Sequence, residues 1–116
     1  MRLLFVITTS PYGNQDFIET LETALVAAVF DQQVSVLLKG DAVWGLLPDQ
    51  QGDQLGRRTA SKVLSALPEY DVDSLYVCAH SLQARGITKD VLPEAFQLLT
   101  STEQHQVLSA SDQVIS

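Results

Sequence analysis

The chain has 116 residues, 46% of them hydrophobic and 18% charged, which predicts one domain spanning residues 1–116. Its net charge of −7, with only seven Lys and Arg residues, argues against direct nucleic-acid binding, because phosphate recognition needs clustered cations. The longest apolar run, at 24–30, is far below the ~20 residues of a bilayer span, so we expect no membrane segment. A lone cysteine, Cys78, cannot form an internal disulfide, which favours a cytoplasmic protein.

The start of the chain predicts a buried strand followed by a long helix. Arg2–Ile7 contains an unbroken apolar run, which favours a central strand covered on both faces. Turn residues at 8–13 end this run. Apolar residues then recur at steps of three and four, which predicts a helix from Asn14 or Asp16 to about Asp31.

The middle of the chain continues the alternation of strands and helices. Gly40 and Asp41 supply a turn and a cap, and Pro48 and Pro68 each end a helical pattern. The predicted elements are a strand at 33–38, a short helix at 42–47, a polar surface loop at 49–54 and a third helix at 57–67.

A short strand-forming segment precedes the only cysteine. Leu75, Tyr76 and Val77 favour a strand, so Cys78 should lie at the carboxyl edge of a sheet. Ser81 is a possible cap for the following helical turn, which Gly86 can end.

The last third predicts two more strands and a helix. Thr100 and Glu103 have the spacing of a capping box. The predicted elements are a strand at 95–99, a helix at 101–109 and a short strand at 113–115.

These elements together predict an α/β fold: a single-domain, mainly parallel five-stranded sheet with helices on both faces, as in flavodoxin-like or Rossmann-like proteins. In such a sheet the loops that follow the strands share one edge, where ligands bind. We therefore expect the segments 8–13, 39–41 and 78–81 to lie close together.

Several common motifs are absent. The first loop has one glycine where a dinucleotide site needs G-x-G-x-x-G, and Leu46 and Leu47 occupy the Lys and Ser/Thr positions of a P-loop. A phosphatase loop would need arginine at position 84, which is Ala84. His80 and His105 with one cysteine make no convincing zinc set. We predict no cofactor and no metal.

Cys78 is the residue with the clearest chemical potential. A cysteine between a strand and a helix can have its thiolate stabilised by backbone N–H groups, which would let Cys78 carry sulfur as a persulfide. A lone cysteine is also often simply a small buried hydrophobic residue, and that alternative stays open. His80 is either a weak base candidate or a surface residue.

Three stretches resemble the DsrE/DsrF-like sulfur-relay family, and within it the TusC (DsrF-type) branch. They are the opening strand with the sequence that follows it at 9–13, the segment 41–50 and, most distinctively, the segment 70–86. The resemblance implies a subunit of a cytoplasmic heterohexamer with TusB-like and TusD-like sister subunits. Such a complex passes persulfide sulfur, through a downstream acceptor protein, toward 2-thiouridine at the tRNA wobble position.

The resemblance also bears on the role of the cysteine. In this family the principal sulfur-carrying cysteine belongs to the TusD-like subunit, which leaves Cys78 as an auxiliary thiol or a structural residue. The chain would then mainly complete the complex. The alternatives are an independent thiol enzyme, a flavodoxin-like small-ligand module or a DsrF-type subunit in sulfur oxidation.

Overall fold

Five strands form one parallel sheet in the computed structural model, which describes residues 1–10, 16–30, 32–46, 64, 66–70, 72, 74–92 and 95–116. The strand order is β4-β3-β2-β1-β5. The strands are β1 (Arg2–Ile7), β2 (Gln33–Leu38), β3 (Ser74–Cys78), β4 (Phe96–Leu99) and β5 (Gln113–Ile115). All four pairings are parallel, which confirms the predicted fold class.

Among the described residues, three α-helices and three short 3₁₀ helices have defined bounds. The α-helices are α1 (Asp16–Val29), α2 (Ala79–Ala84) and α3 (Ser101–Ala110), and the 3₁₀ helices are Gly40–Leu46, Leu67–Tyr70 and Lys89–Val91. None of the helices in the described ranges is long and apolar enough to cross a membrane.

The apolar core lies on one face of the sheet, under α1. Phe5, Val36 and Leu75 share one register row on this face and are at most 1% exposed. Phe17 and Leu21 of α1 pack into the same cluster and are fully buried. Burying each such side chain stabilises the fold by about 1.5–3 kcal/mol, so this face contributes much of the stability.

Helix α3 covers part of the opposite face. Leu4 and Leu37, one residue along from the core positions, face this side and are also buried. The side chain of Val107 from α3 lines a groove of about 500 Å³ with Ser35 and Tyr76 of the sheet. Both faces are therefore covered by helices, as the unbroken apolar strands predict.

The helix boundaries differ from the predictions by one or two residues. The first helix ends at Val29, two residues before the predicted end, and the Phe30 N–H closes its last turn on Ala27 at 3.1 Å. The short helix expected at 42–47 is a 3₁₀ helix that begins at Gly40. It passes close to α1, because a Cβ at Gly45 would lie 2.8 Å from the ring of Phe17.

Three predictions fall wholly or partly outside the described residues. These are the cap at Asn14, the loop at 49–54 and the third helix at 57–67, of which only Leu64, Ala66 and Leu67 are described. Leu64 and Ala66 are helical, and the 3₁₀ helix Leu67–Tyr70 carries Pro68 in its first turn.

The C-terminal elements agree closely with the sequence predictions. The Thr100 hydroxyl accepts the Glu103 N–H at 3.3 Å, while the Glu103 carboxylate accepts the Thr100 N–H at 2.9 Å, so the capping box is present. The terminal strand is held by two bonds between Arg2 and Asp112, at 2.7 and 2.8 Å. The predicted strand at 113–115 is confirmed at those bounds.

Candidate functional site

Cys78 is the last residue of β3 and lies at the carboxyl edge of the sheet, as predicted. It pairs in register with Leu99 of β4, and its free side chain is 5% exposed. Helix α2 begins at the next residue, Ala79, with no intervening loop. The thiol therefore lies at the junction of a strand and a helix, near the edge where parallel sheets bind ligands.

The prediction that Ser81 caps the following helix is wrong. Cys78, and not Ser81, occupies the N-cap position of α2. Because the helix starts directly after the strand, Ser81 is already inside its first turn, with its side chain buried. Its hydroxyl accepts the Gly40 N–H at 3.0 Å instead, which joins the loop after β2 to α2.

Gly40 has the backbone geometry that this contact needs. Its φ of +56° is in the left-handed region that favours glycine, and a Cβ there would lie 3.5 Å from the carbonyl oxygen of Thr8. The Lys39 N–H also donates to the Ile7 carbonyl at 3.0 Å. The described parts of the three predicted loops therefore meet at one edge of the sheet.

A partly exposed ion pair also joins the segment after β2 to the end of α2. The Arg85 guanidinium donates to Asp41 Oδ1 at 3.0 and 3.2 Å, and its third nitrogen donates to the Ser81 carbonyl at 3.2 Å. The Asp41 side chain is 60% exposed, so the pair itself adds only about 0.5 kcal/mol to stability. Its larger effect is geometric, because Arg85 fixes Asp41 beside the carbonyl of Ser81.

Gln104 approaches the thiol from the other side. It is a buried polar residue of α3, and its Nε2 donates to the Leu99 carbonyl at 3.1 Å. An amide nitrogen carries two protons, so the second remains available to the sulfur of Cys78. Gln104 thus links the end of β4 to the cysteine at the end of β3.

The surroundings of Cys78 favour its thiolate. Burial raises the pKa of the thiol, but hydrogen bonds from the Ser81 hydroxyl, the Gln104 amide and the backbone N–H groups of Ser81 and His80 outweigh burial and lower the pKa below its usual value. A lowered pKa increases the thiolate fraction near neutral pH, and the thiolate is the nucleophilic form.

The structure brings together only part of what the sequence singled out. The His80 backbone N–H contributes to the thiolate environment, but its side chain is exposed. Among the described residues no group of three His, Cys, Asp or Glu side chains could hold a metal ion. Tyr76 lines the groove on the sheet face, away from the end of β3.

Sequence reasoning missed Gln104 and the Asp41–Arg85 ion pair. Asp41 is 44 positions from Arg85, and no local spacing rule connects residues so far apart. Gln104 follows the capping box by one residue and carried no other signal. Only the order of the strands, which places β2, β3 and β4 side by side, makes these contacts predictable.

The fold and this site define a class: a small parallel α/β protein with a hydrogen-bonded thiol at the carboxyl edge of its sheet. The model of the DsrE/DsrF-like family matches residues 1–116. The chain belongs to that family, as its sequence motifs indicate.

Two relatives and one solved structure extend the comparison. The chain is 34% identical over 114 residues to "Protein TusC homolog" of Pseudomonas aeruginosa, covering 98% of this chain and 96% of the relative. It is 36% identical over 104 residues to "Intracellular sulfur oxidation protein DsrF" of Allochromatium vinosum, covering 89% and 76%. The ychN protein of E. coli has the same fold, with a TM-score of 0.82 at 22% identity over 98% of this chain and 97% of that one.

Proposed function

We propose that the chain is a TusC-like subunit of a cytoplasmic sulfur-relay complex, assembled as a heterohexamer with TusB-like and TusD-like subunits. One observation carries the proposal beyond family membership: the single cysteine is held in a hydrogen-bonded setting that favours its thiolate. The relatives named TusC and DsrF support the sulfur-handling context. The net charge of −7 fits a protein that passes sulfur to another protein and does not itself bind tRNA.

Within this complex, Cys78 acts as an auxiliary sulfur carrier. Its thiolate attacks the outer sulfur of a donor persulfide, a new S–S bond forms at Cys78, and the donor leaves as its thiolate. The transferred sulfur keeps its oxidation state, so the exchange needs no external oxidant or reductant. A second exchange of the same kind passes the sulfur to a downstream acceptor protein. His80 takes part through its backbone N–H.

Co-expression tests the assembly directly. The tagged chain, expressed with the TusB-like and TusD-like subunits of the same organism, should co-elute with both in fixed proportion during size-exclusion chromatography. The matched control is the same pair of sister subunits without this chain. A chain that always elutes as a separate monomer would contradict the proposed assembly.

The relative named for intracellular sulfur oxidation supports a second candidate, a DsrF-type subunit. The two candidates share the thiol chemistry and differ in the destination of the sulfur. Measuring 2-thiouridine in tRNA from a strain that lacks the chain separates them. Loss of the modified base supports the TusC-like function, and an unchanged level with impaired sulfur oxidation supports the DsrF-like one.

A further inference from the structure

We propose that Ser81 is a positioning residue: the Gly40 amide fixes its hydroxyl so that the hydroxyl proton is directed to the Cys78 thiolate, and the Asp41–Arg85 ion pair holds the two elements together. This inference rests on the proposed role of Cys78 as a sulfur carrier. It assigns to Ser81 a function that a helix cap would not have.

The Ser81 hydroxyl can accept one hydrogen bond and donate another. A serine hydroxyl has one proton and two lone pairs. One lone pair of Ser81 accepts the Gly40 N–H at 3.0 Å, which orients the oxygen but leaves its proton free to be donated. Ser81 lies in the first turn of α2, the helix for which Cys78 is the N-cap, and a hydrogen bond from its hydroxyl lowers the pKa of the Cys78 thiol. Because Ser81 is only 7% exposed, bulk water competes weakly for that proton.

The second step is the support around Ser81. Arg85 donates to the Ser81 carbonyl and to Asp41, so one side chain spans α2 and the 3₁₀ helix that begins at Gly40. Gly40 begins that 3₁₀ helix, and the chain directly before it is bonded to β1, because the Lys39 N–H donates to the Ile7 carbonyl at 3.0 Å. The acceptor and the donor of the Gly40–Ser81 bond are therefore both anchored, and the hydroxyl keeps its direction toward the sulfur.

Other titratable groups lie on the elements around the thiol and bear on its pH dependence. They are His80 on α2, Arg85 directly after it, Lys39 and Asp41 after β2, and Glu103 and His105 on α3. Among the described residues, the causes that lower the pKa of Cys78 are hydrogen bonds from Ser81, Gln104 and His80. Removing one such hydrogen bond should therefore shift the pKa of Cys78 without changing any charge.

The test is the pH profile of Cys78 alkylation by iodoacetamide in the full, folded chain, where the single cysteine makes the signal unambiguous. Ser81→Ala should move the midpoint to higher pH and slow alkylation near neutral pH roughly tenfold, as expected for loss of one hydrogen bond to a charged group. Ser81→Thr keeps the hydroxyl and should stay near the original midpoint. The pH midpoint of alkylation measures the pKa of the thiol. A change in how easily iodoacetamide reaches the sulfur instead alters the alkylation rate at the high-pH plateau.

The matched control is Ser74→Ala, at the other end of the same strand, which should leave the midpoint unchanged. An unmoved midpoint in Ser81→Ala would overturn the inference, as would an equal shift in Ser74→Ala or a Ser81→Thr profile that matches Ser81→Ala.

The results distinguish a wrong role for Ser81 from a wrong proposed function. If Ser81→Ala leaves the alkylation midpoint unmoved while the complex still loads sulfur on Cys78, only the role of Ser81 is wrong. If the midpoint moves as expected and Cys78 never takes up sulfur, the hydrogen bond from Ser81 to the thiolate exists but the proposed carrier function is wrong.

Discussion

At the residue scale, the chemistry depends on how one thiol is surrounded. The place of Cys78 at a strand end is predictable, because strand-forming residues precede it directly. The donors Ser81 and His80 follow Cys78 closely in sequence, whereas Gln104, and Gly40, which donates to the Ser81 hydroxyl, come from distant segments and were not predictable. Ser81 shows the difference most clearly: its preference for helix caps predicts one role, and the immediate start of α2 after β3 gives it another.

The lowered pKa of Cys78 predicts a pH-dependent contribution to stability. A thiol that is more acidic in the folded chain than in the unfolded chain stabilises the fold fully above the usual thiol pKa of about 8.5, and this contribution is lost as the pH falls through the folded pKa. The free energy of unfolding of the wild type, minus that of Cys78→Ser, should therefore rise with pH across that window.

Urea unfolding under reducing conditions at several pH values measures this difference. All other titrating groups are shared by the two proteins, so their contributions largely cancel in the subtraction. A difference that stays flat across the window, or falls as the pH rises, would show that the thiol is not more acidic in the folded state.

At the scale of the elements, sequence patterns located strands better than helix types. Unbroken apolar runs placed β1 and β2 correctly, because burial on both faces demands them, and β5 lies at its predicted bounds although it is mostly exposed. The 3₁₀ form of the helix that begins at Gly40 was not predictable. The sequence pattern shows apolar residues there but does not show that the ring of Phe17 lies against the backbone of Gly45.

The capping box at the start of α3 gives a test at this scale. Thr100→Ala removes the oxygen that accepts the Glu103 N–H, and it should lower the free energy of unfolding by about 1 kcal/mol. Thr102→Ala, two residues along and exposed in the same first turn, serves as the matched control and should change stability by less than about 0.5 kcal/mol. Equal losses in the two variants, measured by urea unfolding, would contradict the cap's contribution.

At the scale of the whole molecule, the fold and the family were both predictable from sequence, for different physical reasons. Alternating strands and helices restrict the chain to a parallel sheet, and that sheet brings the carboxyl ends of β2 and β3 together. The single-domain organisation over residues 1–116 stays a prediction. Subunit partners are not encoded in any local pattern, because they depend on complementary surfaces of other chains.

The central claim is that this subunit takes up sulfur on Cys78 during relay. Intact-mass spectrometry of the reconstituted complex, after incubation with a persulfide donor and before addition of the acceptor, tests it most directly. We expect the wild-type chain to gain the mass of one sulfur atom, and Cys78→Ser in an equally assembled complex to gain none. Sulfur transfer at an undiminished rate through the Cys78→Ser complex, with no added sulfur ever found on the wild-type chain, would contradict the claim.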